Sequence, residues 1–199
     1  MRKGFLFAVI GTAFSIVLFF QLSCSEEGMN KPKTHDEMVA LGKYIVHTSG
    51  CDDCHTPKMF TEKGPVFDTT KLLSGHQQGE PLPSLDLKAL GQNTWAATTM
   101  GLTAWVGPWG ISFASNITPD NATGIGTLSE EMFIKTMREG KYMGVGRPLL
   151  PPMPWEVYGK KTDEDLKAIY AYLMSIKPIR NEVPQPVPPD NAGAVLAKQ

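Results

Sequence analysis

Cys51-Asp52-Asp53-Cys54-His55 decides the reading of this 199-residue chain. Two cysteines three positions apart, followed at once by a histidine, form C-x-x-C-H, the attachment signal of a c-type haem. At that spacing each thiol can add to one vinyl group on a haem edge. The next side chain, His55, is then carried to the proximal face, where its imidazole binds iron. A disulfide or a thioredoxin-like redox pair is the competing reading. The adjoining histidine and the lack of a βαβ pattern around the motif count against it. A zinc site needs a second pair of ligands, and no other cysteine stands nearby. One motif implies one covalent haem c, so the rest of the chain has to supply a pocket and a sixth ligand.

Upstream, Thr34 and Glu37 have capping-box spacing, which predicts a helix start there. Met38, Leu41, Tyr44 and Ile45 follow on one face, with Gly42 among them leaving room for another helix. The helix runs into Gly50 and the haem motif. His35, at its polar start, is expected in solvent. His47 stands too close to Cys51 in sequence to reach the opposite haem face.

Downstream, a carbonyl of Pro57 or Pro65 is expected to accept the His55 Nδ1 proton. Residues 58–115 carry little periodic signal. Leu72-Leu73-Ser74-Gly75-His76 suggests a turn, Pro81 and Pro83 break regular structure, and Leu85–Leu90 suggests a short helix. His76 is the runner-up sixth ligand, though its glycine-flanked setting reads as a surface loop. Trp95, Trp105, Trp109 and Phe113 pack either near the haem or as ordinary core residues. Gly107-Pro108-Trp109-Gly110 is a turn without the lysine of a phosphate loop. Ser115 to Gly126 is dense in turn formers. A helix is expected from Thr127, with Glu130 in capping-box position and Gly140 as its end.

Met100, Met132, Met137, Met143 and Met153 all lie downstream of the haem motif. Met132 and Met137 lie on the expected helix and read as core, whereas Met100 and Met143 stand in glycine-flanked loops. Met153 differs, because Leu150-Pro151-Pro152-Met153-Pro154-Trp155 presents it from a stiff segment. Prolines fix φ and lower the entropy cost of holding one soft thioether in place. A methionine ligand raises the haem potential and suits electron transfer. The final helix begins near Thr162, with acidic residues at its positive end and Leu166, Ile169, Tyr170 and Leu173 on one face. Residues 178–199 are proline-rich and read as an extended tail outside the core.

Met1-Arg2-Lys3 precedes an uncharged apolar run from Gly4 to Leu22. Residues 1–23 therefore read as an export signal, or as an N-terminal membrane anchor, and 24–33 as a tether. Cys24 follows the run directly and makes lipidation at that residue the favoured reading. The alternative is an idle cysteine in an uncleaved anchor helix. Both readings place the folded part, residues 34–177, outside the cytoplasm, in the periplasm or at the cell surface. The whole chain carries −1; without Arg2 and Lys3 it carries 17 basic and 20 acidic side chains. That balance argues against a nucleic-acid partner.

The order helix, C-x-x-C-H, loops, helix, Met-Pro, helix resembles the class I cytochrome c family. The likeness extends to bacterial cytochromes that read G-C-x-x-C-H-T-P, S-N-I-T-P-D-x-x-T-G-I-G, M-P and D-E-D-x-x-A-x-Y-A-Y-L. Here these are Gly50–Pro57, Ser115–Gly126, Met153-Pro154 and Asp163–Leu173. Some such cytochromes are haem subunits of membrane-bound alcohol or sugar-acid dehydrogenases. The resemblance implies a mostly α fold around one haem, with a long loop-rich insertion before the methionine ligand. It implies Cys51 and Cys54 as thioether attachments, His55 as proximal ligand and Met153 as distal ligand. It also implies crossing terminal helices, with Gly42 and Tyr44 near the Ile169–Leu173 face. One-electron transfer to transient redox partners is the function expected, without bond chemistry in the protein itself. The alternatives are the electron-accepting haem subunit of a larger dehydrogenase, and a haem enzyme or sensor with an open iron.

Overall fold

The computed structural model describes residues 31–86, 88, 90 and 95–197. The expected export segment, Cys24 and most of the tether lie outside the described residues, as does part of the short helix expected over Leu85–Leu90. Among the described residues, no helix is long and apolar enough to cross a membrane.

Helix α1 (His35–Thr48) starts with the capping box foreseen in the sequence. Thr34 Oγ1 accepts from the Glu37 amide at 3.3 Å, and the Glu37 carboxylate accepts from the Thr34 amide at 2.7 Å. Helix α5 (Asp163–Ser175) repeats the device with Thr162 and Asp165, and its first turn holds three carboxylates that favour the positive helix end. The two helices pack directly on each other. Gly42 makes this possible: a Cβ there would lie 1.8 Å from the Ala168 carbonyl oxygen and 2.8 Å from Tyr172 Cβ. Ile45 and Val46 of α1 meet Leu166, Ala168, Ile169, Tyr172 and Leu173 of α5 in the main core.

Helix α3 (Glu130–Glu139) begins three residues later than expected. Ser129, not Thr127, caps it, its hydroxyl accepting from the Met132 amide at 3.2 Å. Leu128 is instead turned inward and buried in the same core. Gly140 ends α3 with φ of 61°, and the Trp155 ring occupies the space where its Cβ would be. Met137 packs against the main core as expected, but Met132 faces solvent.

The mostly helical architecture implied by the family resemblance is corrected to a mixed one. Strands β1 (Lys58–Thr61) and β2 (Gly64–Phe67) form an antiparallel hairpin. Strands β3 (Ala97–Thr98), β4 (Ala104–Gly107) and β5 (Gly110–Phe113) form an antiparallel sheet in that order. The turn read at Gly107–Gly110 joins β4 to β5. Val106 and Ile111 face each other across it, with aromatic Trp105 and Phe113 beside them, a composition that suits pleated strands.

The tail reading is also corrected. After Met153-Pro154, the short helix α4 (Trp155–Tyr158) and α5, the chain returns along the sheet. Val187 exchanges two backbone hydrogen bonds with Ile111, at 2.8 and 2.9 Å. Pro189 then opens helix α6 (Pro189–Leu196), where proline at the first turn loses no internal bond. Ala192 and Leu196 bury themselves against Val106 and Ile111 in a second core. The prolines interrupt regular structure without preventing the apolar residues between them from packing.

Gly42→Ala drives a methyl into the α5 backbone. It is expected to destabilise the fold by at least about 1–3 kcal/mol, measured as a lowered denaturant midpoint. An unchanged midpoint would show that α1 and α5 do not meet as described.

Candidate haem site

Gly50, at φ of 81°, turns the chain from α1 into the five-residue helix α2 (Cys51–His55). Both cysteines are free thiols on this one turn. Its neighbours hold the turn on several sides. Thr56 Oγ1 donates to Asp52 Oδ1 at 3.2 Å and accepts from the Leu73 amide at 3.0 Å. The His55 carbonyl accepts from the Gly75 amide at 2.7 Å. Lys58 Nζ donates to the carbonyls of Asp53 and Gly101. Tyr158 of α4 donates to the Ser49 carbonyl at 2.5 Å, just before the turn.

His55 Nδ1 lies 2.7 Å from the Ser115 carbonyl oxygen, to which it donates. The expected acceptor, Pro57 or Pro65, is therefore corrected to Ser115. Pro57 instead accepts from the Asp68 amide at 2.8 Å. A histidine whose Nδ1 proton is fixed on a carbonyl offers the lone pair of Nε2 to a metal. Burial holds the imidazole below its ordinary pKa and so keeps that lone pair free, against the opposing pull of the Ser115 carbonyl and the Asp52 charge.

The thiols are held in the protonated form. Burial, reinforced by the Asp52 charge and opposed by the neighbouring Tyr158 hydroxyl, pushes Cys51 up to about 11. Burial also raises Cys54. Redox-active cysteines usually occupy electropositive surroundings that lower the thiol pKa, so this environment runs opposite to the thioredoxin-like reading. Among the described residues, no group of three or more His, Cys, Asp or Glu is placed to hold a metal ion by itself. Two free thiols and one oriented imidazole on a single turn are the donor set that a c-type haem requires.

Met153 is half-buried. Its amide binds the Leu150 carbonyl, and its own carbonyl accepts from Trp155. The segment is tied to β5, where Ser112 Oγ donates to the Pro151 carbonyl at 2.5 Å and accepts from Trp109 Nε1 at 3.1 Å. Ser112 and the His55-binding Ser115 are thus three residues apart on one extended stretch, roughly 10 Å at about 3.3 Å per residue. Met100 and Met143 are exposed.

Of the other histidines, His76 keeps its buried Nε2 without a hydrogen-bond partner among the described residues. His35 is exposed. His47 has both ring nitrogens engaged, by Asp52 and by Tyr172. His76, read as part of a surface loop, is only 1% exposed. Its Nδ1 pairs with Thr103 Oγ1 at 2.9 Å, and its ring packs on Phe113 with centroids 4.9 Å apart. Its backbone joins Ala114 in the same strand-like pairing that carries Ser115.

Several supporting residues escaped the residue-by-residue reading. Asn116 donates to the Ile179 carbonyl at 2.8 Å and accepts from Thr118. Asn181 donates to the carbonyls of Ser74 and His76 and accepts from the Gln78 amide. Asp120 closes the intervening loop on the amides of Ala122 and Thr123. The S-N-I-T-P-D run was visible as a motif, but its part in anchoring the C-terminal segment was not.

The turn carries the donor set of a c-type haem, and comparison with known proteins finds cytochrome subunits among those the chain is similar to. No family model matches the chain. A 174-residue stretch, 87% of the chain, is 29% identical to the gluconate 2-dehydrogenase cytochrome c subunit of Pantoea cypripedii, covering 29% of that protein. Eighty residues, 40% of the chain, are 41% identical to the fructose dehydrogenase cytochrome subunit of Gluconobacter japonicus, covering 16% of it. Seventy-seven residues, 39% of the chain, are 46% identical to a nicotinate dehydrogenase subunit of Pseudomonas putida, covering 6% of it. The chain is thus similar to cytochrome subunits of dehydrogenases and spans less than a third of the length of these three relatives.

Burial holds His76 below its ordinary value of 6.5, against the pull of Glu80. Below about pH 6.5 the unfolded chain binds a proton that the folded chain refuses, so stability present above that pH is lost as pH falls. The expected contribution is up to about 1.4 kcal/mol per pH unit. Denaturant unfolding at several pH values should show a shallower acid decline in His76→Gln. The same decline in both proteins would remove His76 from the account.

Proposed function

We propose that the domain transfers single electrons through one covalently bound haem c, with thioethers at Cys51 and Cys54 and axial ligands His55 and Met153. The observation that carries this reading is the His55–Ser115 hydrogen bond on the turn that also bears both thiols. When bound, the haem supplies a reversible one-electron couple. The chain's own residues do the positioning. Ser115 fixes the His55 tautomer, and Ser112 and Trp109 brace the Met153 segment from the other end of the same stretch. Two protein ligands leave no position for substrate, so the domain itself is not an enzyme in this reading. Its partners are redox proteins that dock briefly, through the small interfaces usual for such pairs.

The similarity to dehydrogenase cytochrome subunits favours a second, compatible reading: the chain accepts electrons from the catalytic chain of a larger dehydrogenase. The location proposed is the periplasm or cell surface, with residues 1–23 as export signal or anchor and Cys24 as the lipidated residue. Co-purification of the full chain with a catalytic subunit distinguishes a dedicated subunit from a freely exchanging carrier.

The exported protein should retain one haem through denaturing electrophoresis, and Cys51→Ser or Cys54→Ser should lose or weaken that retention. The wild type should be low-spin and inert to carbon monoxide when reduced, whereas Met153→Ala should bind it and have a lower midpoint potential. A high-spin wild type that takes up carbon monoxide would replace electron transfer with the open-iron reading.

A further inference from the structure

His47 lies on the last turn of α1, beside the haem-attachment turn. Its Nδ1 is 2.5 Å from Asp52 Oδ2, and its Nε2 is 2.9 Å from the Tyr172 hydroxyl. Asp52 stands between the two cysteines, only 7% exposed. An ionised carboxylate only accepts, so Nδ1 carries a hydrogen. A tyrosine hydroxyl either donates or accepts. With the ring neutral, Tyr172 donates to Nε2; with the ring charged, Nε2 donates to the Tyr172 oxygen. Both states keep both hydrogen bonds, and rotation of one O–H converts the acceptor into the donor. The His47 side chain keeps 35% of its exposure while that of Asp52 keeps 10%. Solvent therefore reaches the ring, while the carboxylate that it serves stays inside.

The groups facing this ring are few. Helix α2 contributes Asp52, α5 contributes Tyr172, and α1 itself places Lys43 one turn earlier. Asp53 turns back toward Gly50, and Lys161 and Tyr158 reach Ser49 at the end of α1. The Asp52 charge also acts on His55, where it favours the positive form of the imidazole. A proton on His47 offsets that negative charge near the proximal ligand.

We propose that His47 is a redox-linked proton site, resting on the haem reading above. Its ring takes a proton from water as the haem accepts an electron from a protein donor, and it returns that proton on reoxidation. One electron and one proton enter together, so the local charge is unchanged. The Asp52–His47–Tyr172 chain then joins electron transfer to proton uptake at the protein surface.

The experiment is a redox titration of the haem-loaded full chain at a series of pH values, with the His47 ring followed by nuclear magnetic resonance in both oxidation states. Three results are expected. The ring should hold its proton to higher pH in the reduced protein. The wild-type midpoint potential should fall as pH rises through that interval. The potential should stay level in His47→Gln, which keeps a hydrogen-bonding side chain but cannot titrate. Equal titration midpoints in the two oxidation states overturn the proposal, without any need for the variant to fold. A wild-type slope that persists in His47→Gln overturns it as well. A chain lacking a c-type haem spectrum fails earlier, refuting the haem reading and this proposal with it. A normal spectrum with a flat potential refutes the proton site alone.

Discussion

The bond from His55 Nδ1 to the Ser115 carbonyl ties the Cys51–His55 turn to a stretch 60 residues further along the chain. One such bond contributes only about 1 kcal/mol net, but a buried imidazole left without it would incur a larger desolvation penalty. Its value lies in what fixes Ser115. Ala114 donates to Thr103 and accepts from His76, Ile117 donates to Leu73, and Asn116 holds Ile179. The orientation of one ring thus depends on segments drawn from the sheet, the middle loops and the C-terminal stretch. The middle of the chain, which looked like an insertion with little to say, supplies the acceptor of His55 and the segments that hold it.

The second constraint is the contact of α1 with α5. Glycine inside a helix costs about 1 kcal/mol relative to alanine. At Gly42 that cost is offset by an approach close enough for Ile45, Val46, Leu166 and Leu173 to leave water together. Each such side chain contributes about 1.5–3 kcal/mol on full burial. Because α2 leaves α1 after only two intervening residues, any shift at this crossing moves the cysteines and His55 with it.

The parts of the fold that were legible in the sequence are those encoded locally. Capping at Thr34, the αL end at Gly140 and the close approach at Gly42 each depend on residues within a few positions or on the smallness of one side chain. Cys51, Cys54 and His55 share one turn for the same reason, since their sequence spacing alone places them there. What could not be read was settled over long sequence distances. The partner of His55 lies 60 residues away, and nothing local distinguishes the Ser115 carbonyl from that of Pro57. His76 sits among turn formers that resemble surface, yet Thr103 and Phe113 enclose it. The tail misled because proline content signals an extended chain, whereas Val187, Ala192 and Leu196 found apolar partners in a sheet whose strands carried weak signals of their own.

The stapling of the C-terminal stretch bears on how the chain reaches its final form. Asn181 binds the segment around Ser74 and His76 across 107 and 105 positions, and Tyr172 meets His47 across 125. Contacts so remote in sequence are won late, because the loop between them must be ordered before the contact repays that ordering. The turn from Cys51 to His55 is local and is available from the start, while its enclosure waits on the most distant pairings in the domain. Slow closure leaves both thiols of that turn open to solvent for longest. The same topology that delays folding therefore sets the order of events: the local turn first, its enclosure second.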